Sequence, residues 1–284
     1  MNTAQNLLEL KKMCNTVRRD ILDLTFYGSA SHLGGSLSVV ELLVALYFGV
    51  MKIDPQNPQM QDRDRFILSK GHAAPALYAV LAERGFFPRE ELKTFCKNGT
   101  RLQKHIDIHK VPGIDSSAGS LGQGLSIGVG MCLADRMDKK DRSVFVVMGD
   151  GELQEGQVWE AAMSAGNMKL GRLFAFVDAN QMQVDGFVKS IMSVEPIQDK
   201  WKSHGWDVQR IDGGDVAQIL EAIHKAQSDK GLPHMIIADT IKGRGVDFME
   251  LQVDWHAKGL TEEEYHKAVA QVDAQRKVLE GMEA

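Results

Sequence analysis

Apolar positions near the start of the chain recur at spacings of three and four, at Leu10, Met13, Val17, Ile21 and Leu24. That period lays one stripe along a helix, and Gly28 supplies its stop. The run SASHLGGSLS is polar and glycine-rich and reads as a loop. Residues 38–50 are apolar all round and predict a buried helix, and Pro55 and Pro58 mark a turn before the short strand RFIL. SKGHAAPALYAVLAERG then predicts a turn and a helix, and PREELKTF a further helical segment. Neither period holds over residues 98–124, a stretch long enough to suggest a functional loop. Gly124, Gly128 and Gly130 follow inside a helical pattern that runs to Met137, where small residues permit close packing or contact with a ligand.

The second half alternates more regularly. Strand SVFVVM is followed by helix QVWEAAMSAGNM, strand LFAFVD, an irregular loop, strand WDVQRI, helix VAQILEAIHKAQ and strand HMIIAD. Buried strands alternating with helices predict an α/β fold with a doubly wound, mostly parallel sheet and helices on both faces. Binding sites in such sheets lie beyond the carboxyl ends of the strands. No repeat or linker interrupts the 284 residues, so one domain over 1–284 is expected, with 261–284 as a C-terminal helical tail. Its EEEYHK reads as a solvated face.

Composition narrows the function by exclusion. Lysine and arginine total 33 against 38 acids, a formal charge of -5, with no basic track for nucleic acid. Cys14, Cys96 and Cys132 are odd in number and widely spaced, which argues against disulfides or zinc and for a reducing cytoplasm. The most apolar stretch, VVELLVALYFGVM, is too short to span a bilayer and contains Glu41, and the first residues have no targeting pattern, so no membrane is expected.

The chemistry begins at VFVVMGDGELQEG, residues 144–156, where a buried strand runs into a βα turn carrying Asp150, Glu152 and Glu155. Such turns commonly hold phosphates, which an acid repels. A P-loop needs GxxxxGK[ST], absent here, and a Rossmann turn needs GxGxxG, where this chain has Gln154 at the third glycine. A divalent cation between Asp150 and a diphosphate reverses the sign of the interaction. It needs further oxygens. One βαβ unit later LFAFVD ends in ANQM, so the Asn180 side chain is a candidate second ligand and the Met182 carbonyl a third.

GDG, then 27 residues, then a pair ending in asparagine resembles the diphosphate and metal motif of thiamine-diphosphate enzymes. In that family the turn glycine, here Gly151, donates its backbone N–H to the diphosphate, and Ala179 departs from the usual acid or asparagine. Taken with SHLGGS, SKGH, KHIDIHKVPG, SAGSLGQG, TIKGRGVDFME and a later WH, the pattern resembles the amino-terminal domain of transketolases over nearly the whole chain. Its length and ending look like the smaller half of a two-chain transketolase. Departures are Leu33 and Gly35 after the first histidine and Ile106 after the loop histidine.

The resemblance implies thiamine diphosphate and Mg2+, or another cation such as Ca2+ or Mn2+, and transfer of a two-carbon ketol unit from a ketose to an aldose. It implies His32 and His256 near the donor carbonyl and its C3 hydroxyl, and His105 on the C1 hydroxyl. His72 and His256 would reach the diphosphate, with Gly119, Ser120 and Leu121 bordering the cofactor. His109, His204, His224, His234 and His266 are expected to be structural. The glutamate that activates the aminopyrimidine lies in a domain this chain lacks, so a partner chain carrying the pyrimidine-binding and C-terminal domains is expected. The resemblance also implies an α2β2 assembly that holds the cofactor between two chains, with Glu155 among the cofactor-site residues in an acidic, proton-sharing contact at that interface. Rival readings are one subunit of a 1-deoxyxylulose-5-phosphate synthase-like or 2-oxo acid dehydrogenase-like enzyme, a non-catalytic subunit that binds the cofactor without turnover and, more distantly, a dinucleotide-dependent dehydrogenase. The sugar itself is not legible.

Overall fold

The computed structural model describes residues 3–28 and 32–282. In chain order its strands are β1 (Arg65–Leu68), β2 (Val144–Gly149), β3 (Leu173–Ala179), β4 (Met182–Gln183), β5 (Gly186–Phe187), β6 (Asp207–Asp212) and β7 (His234–Asp239). Five of them form one sheet in the order β1-β2-β3-β7-β6, every neighbour parallel, while β4 and β5 make a separate antiparallel ribbon. Successive side chains alternate between two buried faces. Phe145, Val147, Phe174, Phe176 and Ile236 pack with residues of helices Thr3–Tyr27 and Val216–Ser228. Val144, Val146, Met148, Ala175, Val177 and Ile237 pack on the other side with residues of helices Gln123–Met137, Gly156–Asn167 and Ile197–Ser203. Burial on both faces is why β2, β3 and β7 read as largely unbroken apolar runs, whereas edge strand β6, DVQRID, is mostly half-buried or exposed.

Several local expectations change. Residues 38–50 are not one α-helix: an α-turn at Val40–Val44 widens into a π-helical segment, Ala45–Val50, and SHLGGS is not all loop, because Leu33–Leu37 is a short helix. Most of these residues are buried, so apolar period could not mark the boundaries. The helical segment expected at PREELKTF is present as a 3-10 helix, Arg89–Thr94. The tail helix Glu262–Gly281 starts with a capping box between Thr261 and Glu264, but EEEYHK is only partly solvated. Tyr265 is buried, stacks on Phe26 at 4.1 Å and donates to Asp23 at 2.8 Å. Of the helical glycines, Gly128 is needed for packing, since a Cβ there would come within 2.8 Å of Val146.

Register positions the site. Gly149 lies opposite Asp178, and Asp178 opposite Ala238, so the segments leaving β2, β3 and β7 emerge side by side. Residues 98–124 are irregular until the helix at Gln123, yet they are tied down. Asp115 accepts from Arg63, from Arg65 at 3.0 Å and from the Phe66 N–H at 2.9 Å, and Glu152 accepts from the Gly122 N–H at 2.9 Å.

Candidate active site

Asp150 begins the turn after β2 and is buried. Its carboxylate accepts from the Gly151 N–H at 2.8 Å and the Gln181 N–H at 2.7 Å, and no lysine or arginine bonds to it among the described residues. Burial, and then the charge of Asp178, push its pKa up to about 7. Asn180 is also buried; its Nδ2 donates to Asp178 at 2.8 Å and its Oδ1 accepts from the Met182 N–H at 3.2 Å. The Gln181 N–H bond therefore brings Asp150 alongside the segment that carries Asn180 and Met182. The Gly151 N–H, expected to face a diphosphate, is turned to Asp150 here.

Behind them lies a buried ionic network that sequence reasoning missed. Asp178 accepts from Lys70, Thr240, Ser38 at 2.7 Å and Asn180, and Lys70 also donates to the Gly35 carbonyl at 2.9 Å. Burial opposes the charge on Asp178, yet the Lys70 ammonium and these donors hold its carboxyl below the usual range. Breaking a buried pair of this kind costs about 3–5 kcal/mol, so the network rigidifies the floor of the site. Lys242, in TIKGRG, sits on the same floor with Nζ 2.8 Å from His256 Nδ1. Its pKa is lowered to about 8 by burial and the Lys70 charge. The signal was available: each lysine follows the carboxyl end of a predicted strand.

Four histidines converge above this floor. The His32 ring lies 5.7 Å from His72, 6.2 Å from His105 and 5.6 Å from His256, and His72 lies 5.4 Å from His256. His32 takes a left-handed conformation, φ 74°, at the start of Leu33–Leu37, a conformation uncommon outside glycine and one that clusters at functional sites. Both glycines of SHLGGS, of which only Gly35 departs from the family pattern, have a steric reason. A Cβ on Gly34 would approach Lys242 to 3.0 Å, and one on Gly35 would approach His72 to 3.3 Å. Gly71 plays the same part on the other side, where a Cβ would lie 2.9 Å from the Gly119 nitrogen and force the SKGH turn away from SAGSLG.

All four rings are held neutral. Burial is the first cause for each, lowering His32 to about 4 and His256 to about 3, with His72 and His105 also lowered; nearby lysine charges add to it. A stability slope follows. Below the ordinary histidine value of 6.5 the unfolded chain takes up protons that the folded site refuses, so stability is lost as pH falls towards 4. The melting temperature is expected to drop over that window, and the double substitution His32→Gln and His256→Gln to flatten the drop; a wild-type melting temperature constant from pH 6.5 to 4 would contradict the neutral cluster.

Gly119 and Ser120 line a cavity of about 310 Å3 with Ser69 and Gln123, and Leu121 is half-buried beside it. The three acids of the turn separate by role. Glu152 is buried and accepts from Ser69, Gly122 and Gly149, a structural tie that sequence reasoning did not assign. Glu155 is exposed at the start of Gly156–Asn167, with no capping bond from its side chain. Of the histidines expected to be structural, His234 is buried on Phe174 and bonds to Asp207 and the Asp229 carbonyl. His204 lies 5.9 Å from Trp159, and His266 stands 3.9 Å from Glu262. His109 is exposed and lines a cavity with Arg63 and Asp115.

The family model for the transketolase thiamine diphosphate binding domain matches residues 10–277. The chain belongs to the transketolase family. It is 46% identical over 270 residues to the 6-deoxy-6-sulfo-D-fructose transketolase subunit SqwG of Clostridium sp. (strain MSTE9), covering 95% of this chain and 98% of that one. It is 40% identical to one of the apulose-4-phosphate transketolase subunits of Phocaeicola vulgatus, covering 96% of each. Among solved structures, transketolase from Campylobacter jejuni superposes with a TM-score of 0.88 at 28% identity, over 98% of this chain but 46% of that one. Against the transketolase of Rattus norvegicus, to which it is 36% identical, the chain spans 44% of the length. The open space at Gly119 and Gly149, where a Cβ would meet nothing within 4 Å, and the Lys242 ammonium fit the anionic end of thiamine diphosphate. No helix among the described residues is long and apolar enough to cross a membrane.

Proposed function

We propose that this chain is the diphosphate-binding subunit, one domain over 1–284, of a thiamine-diphosphate-dependent transketolase. It would move a two-carbon ketol unit from a ketose to an aldose together with a partner chain carrying the pyrimidine-binding and C-terminal domains. The observation that carries this reading is the convergence of four neutral imidazoles beside a buried carboxylate that forms no direct ion pair among the described residues.

Asp150, the Asn180 side-chain oxygen and the Met182 carbonyl are proposed to hold Mg2+, or Ca2+ or Mn2+ in its place. The donors are all oxygen, and a carboxylate whose pKa is raised by burial and then by the charge of Asp178 gains from a nearby cation. His72, His256, Gly119, Ser120, Leu121 and Gly151 would surround the diphosphate, with Lys242 as an added cation. When bound, thiamine diphosphate supplies the carbon nucleophile and the electron sink. His32 and His256 orient the donor carbonyl and exchange a proton with the C3 hydroxyl, and His105 holds the C1 hydroxyl. Neutral rings suit this work, because each offers one N–H donor and one acceptor nitrogen. When protonated, Lys242 donates to His256 Nδ1 and leaves the ring proton on Nε2.

A partner is supported by relatives named as subunits that align over almost their whole length. The sulfo and phosphate groups in their names favour an anionic sugar here. We place the enzyme in the cytoplasm as an α2β2 assembly, with exposed Glu155 at the contact between chains. The expected result is no ketol transfer by the isolated chain and transfer after mixing with the partner, with light scattering giving two copies of each. Full-rate transfer by the isolated chain would sink the proposal.

A further inference from the structure

A cavity of about 580 Å3, in the size range of metabolite sites, lies at the amino ends of β1 and β2, opposite the end that carries Asp150. Arg63, Arg65, Lys110 and Arg142 line it, with only Asp115 and Asp135 as acids. Four cations against two carboxylates leave positive charge in excess along the wall, in a chain whose overall charge is negative.

The protein's own acceptors do not use up these donors. Asp115 is shared by two guanidinium groups, accepting from Arg63 and Arg65 at 3.0 Å each, and that is the one bond Arg65 makes among the described residues. Arg142 pairs with Asp135 and donates to the Gln61 carbonyl at 2.7 Å. The Nε of buried Arg63 and that of Arg142 have no partner among the described residues. Lys110 is exposed and forms no ion pair among them. Guanidinium forks match carboxylate and phosphate edges, and an ammonium adds a mobile point charge.

The far wall is the tip of a closed loop. Ala118 N–H donates to the Ile106 carbonyl at 3.2 Å and Ile108 N–H to Ser117 Oγ at 3.1 Å, so residues 106–118 leave and return at one point. His105 and Gly119 flank that point, while Lys110 and Asp115 line the cavity.

We propose that this cavity binds a small oxyanion with two or more negative charges and that its occupancy holds loop 106–118 against the amino end of the sheet. The ligand then bears on His105 and Gly119 through the loop, without touching the residues of the acid turn. The site goes beyond the ketol-transfer reading and stands without it.

The test is calorimetric titration of the full chain with inorganic phosphate, 3-phospho-D-glycerate and citrate. Metal-free buffer is used, in which the acid turn repels anions, at constant ionic strength because such binding is screened by salt. At least one of the three is expected to bind with a Kd of about 1 mM or tighter. Lys110→Glu should weaken it at least about tenfold, Lys110→Gln should act in the same direction, and Lys110→Arg should retain it. Amide hydrogen exchange over residues 108–115 should slow on binding in the wild type and not in Lys110→Glu. An unchanged melting temperature of the ligand-free Lys110→Glu chain separates a lost site from a lost fold. No saturable binding of any of the three, or equal binding by wild type and Lys110→Glu, would overturn the site and leave the transketolase reading intact.

Discussion

Replacing Asp150 with alanine is expected to weaken magnesium-dependent binding of thiamine diphosphate by at least about 100-fold in the assembled enzyme, since even the outer partners of metal ligands are worth about 10–100-fold. The argument is electrostatic. The carboxylate is buried, repelled by Asp178 and, among the described residues, hydrogen-bonded only by two backbone N–H groups. Lys70, the nearest strong cation of the network, is committed to Asp178. Without a metal, Asp150 is a cost to the fold; with one, it reverses the repulsion between the turn and a diphosphate. The same substitution should therefore leave the melting temperature of the cofactor-free chain unchanged or raised, which separates a lost ligand from a lost fold. Asn180→Ala should act in the same direction with a smaller effect, because its Nδ2 also satisfies Asp178. Calorimetric titration with and without Mg2+ reads all of this, and an unchanged cofactor affinity in Asp150→Ala would refute the metal assignment.

His105→Ala is expected to do the reverse: kcat should fall about 100-fold, while cofactor affinity stays within about twofold. His105 is exposed on the loop and faces His32 rather than the acid turn, so its loss removes a partner of the substrate and leaves the floor intact. A fall in kcat and kcat/KM together is the mark of an interaction made in the transition state. Loss of cofactor with normal turnover at saturation would show that another histidine holds the C1 hydroxyl.

Much of this was readable in one dimension because it is local. The parallel strands announced themselves as apolar runs, and GDG followed one unit later by ANQM located Asp150 and Asn180 because parallel neighbours end together. The turn acids looked alike in sequence, yet the fold separates them. Glu152 points inward to tie three segments, and Glu155 points outward. Lys70 and Lys242 were passed over because a lysine in a turn normally signals solvent, and only packing reveals that both are buried.

The amino-acid sequence alone determined the order of elements, the end of the sheet that carries the chemistry and the residue types available there. Period, turn composition and spacing are set by each residue and its near neighbours. Tertiary structure decided which charges are paired, which histidines meet and that buried Asp150 forms no direct ion pair among the described residues. Those outcomes depend on register between strands and on loops that cross the sheet, as when Ser38 reaches Asp178 across 140 positions. They also depend on burial, which sets the protonation of a histidine or an aspartate and which no local pattern specifies.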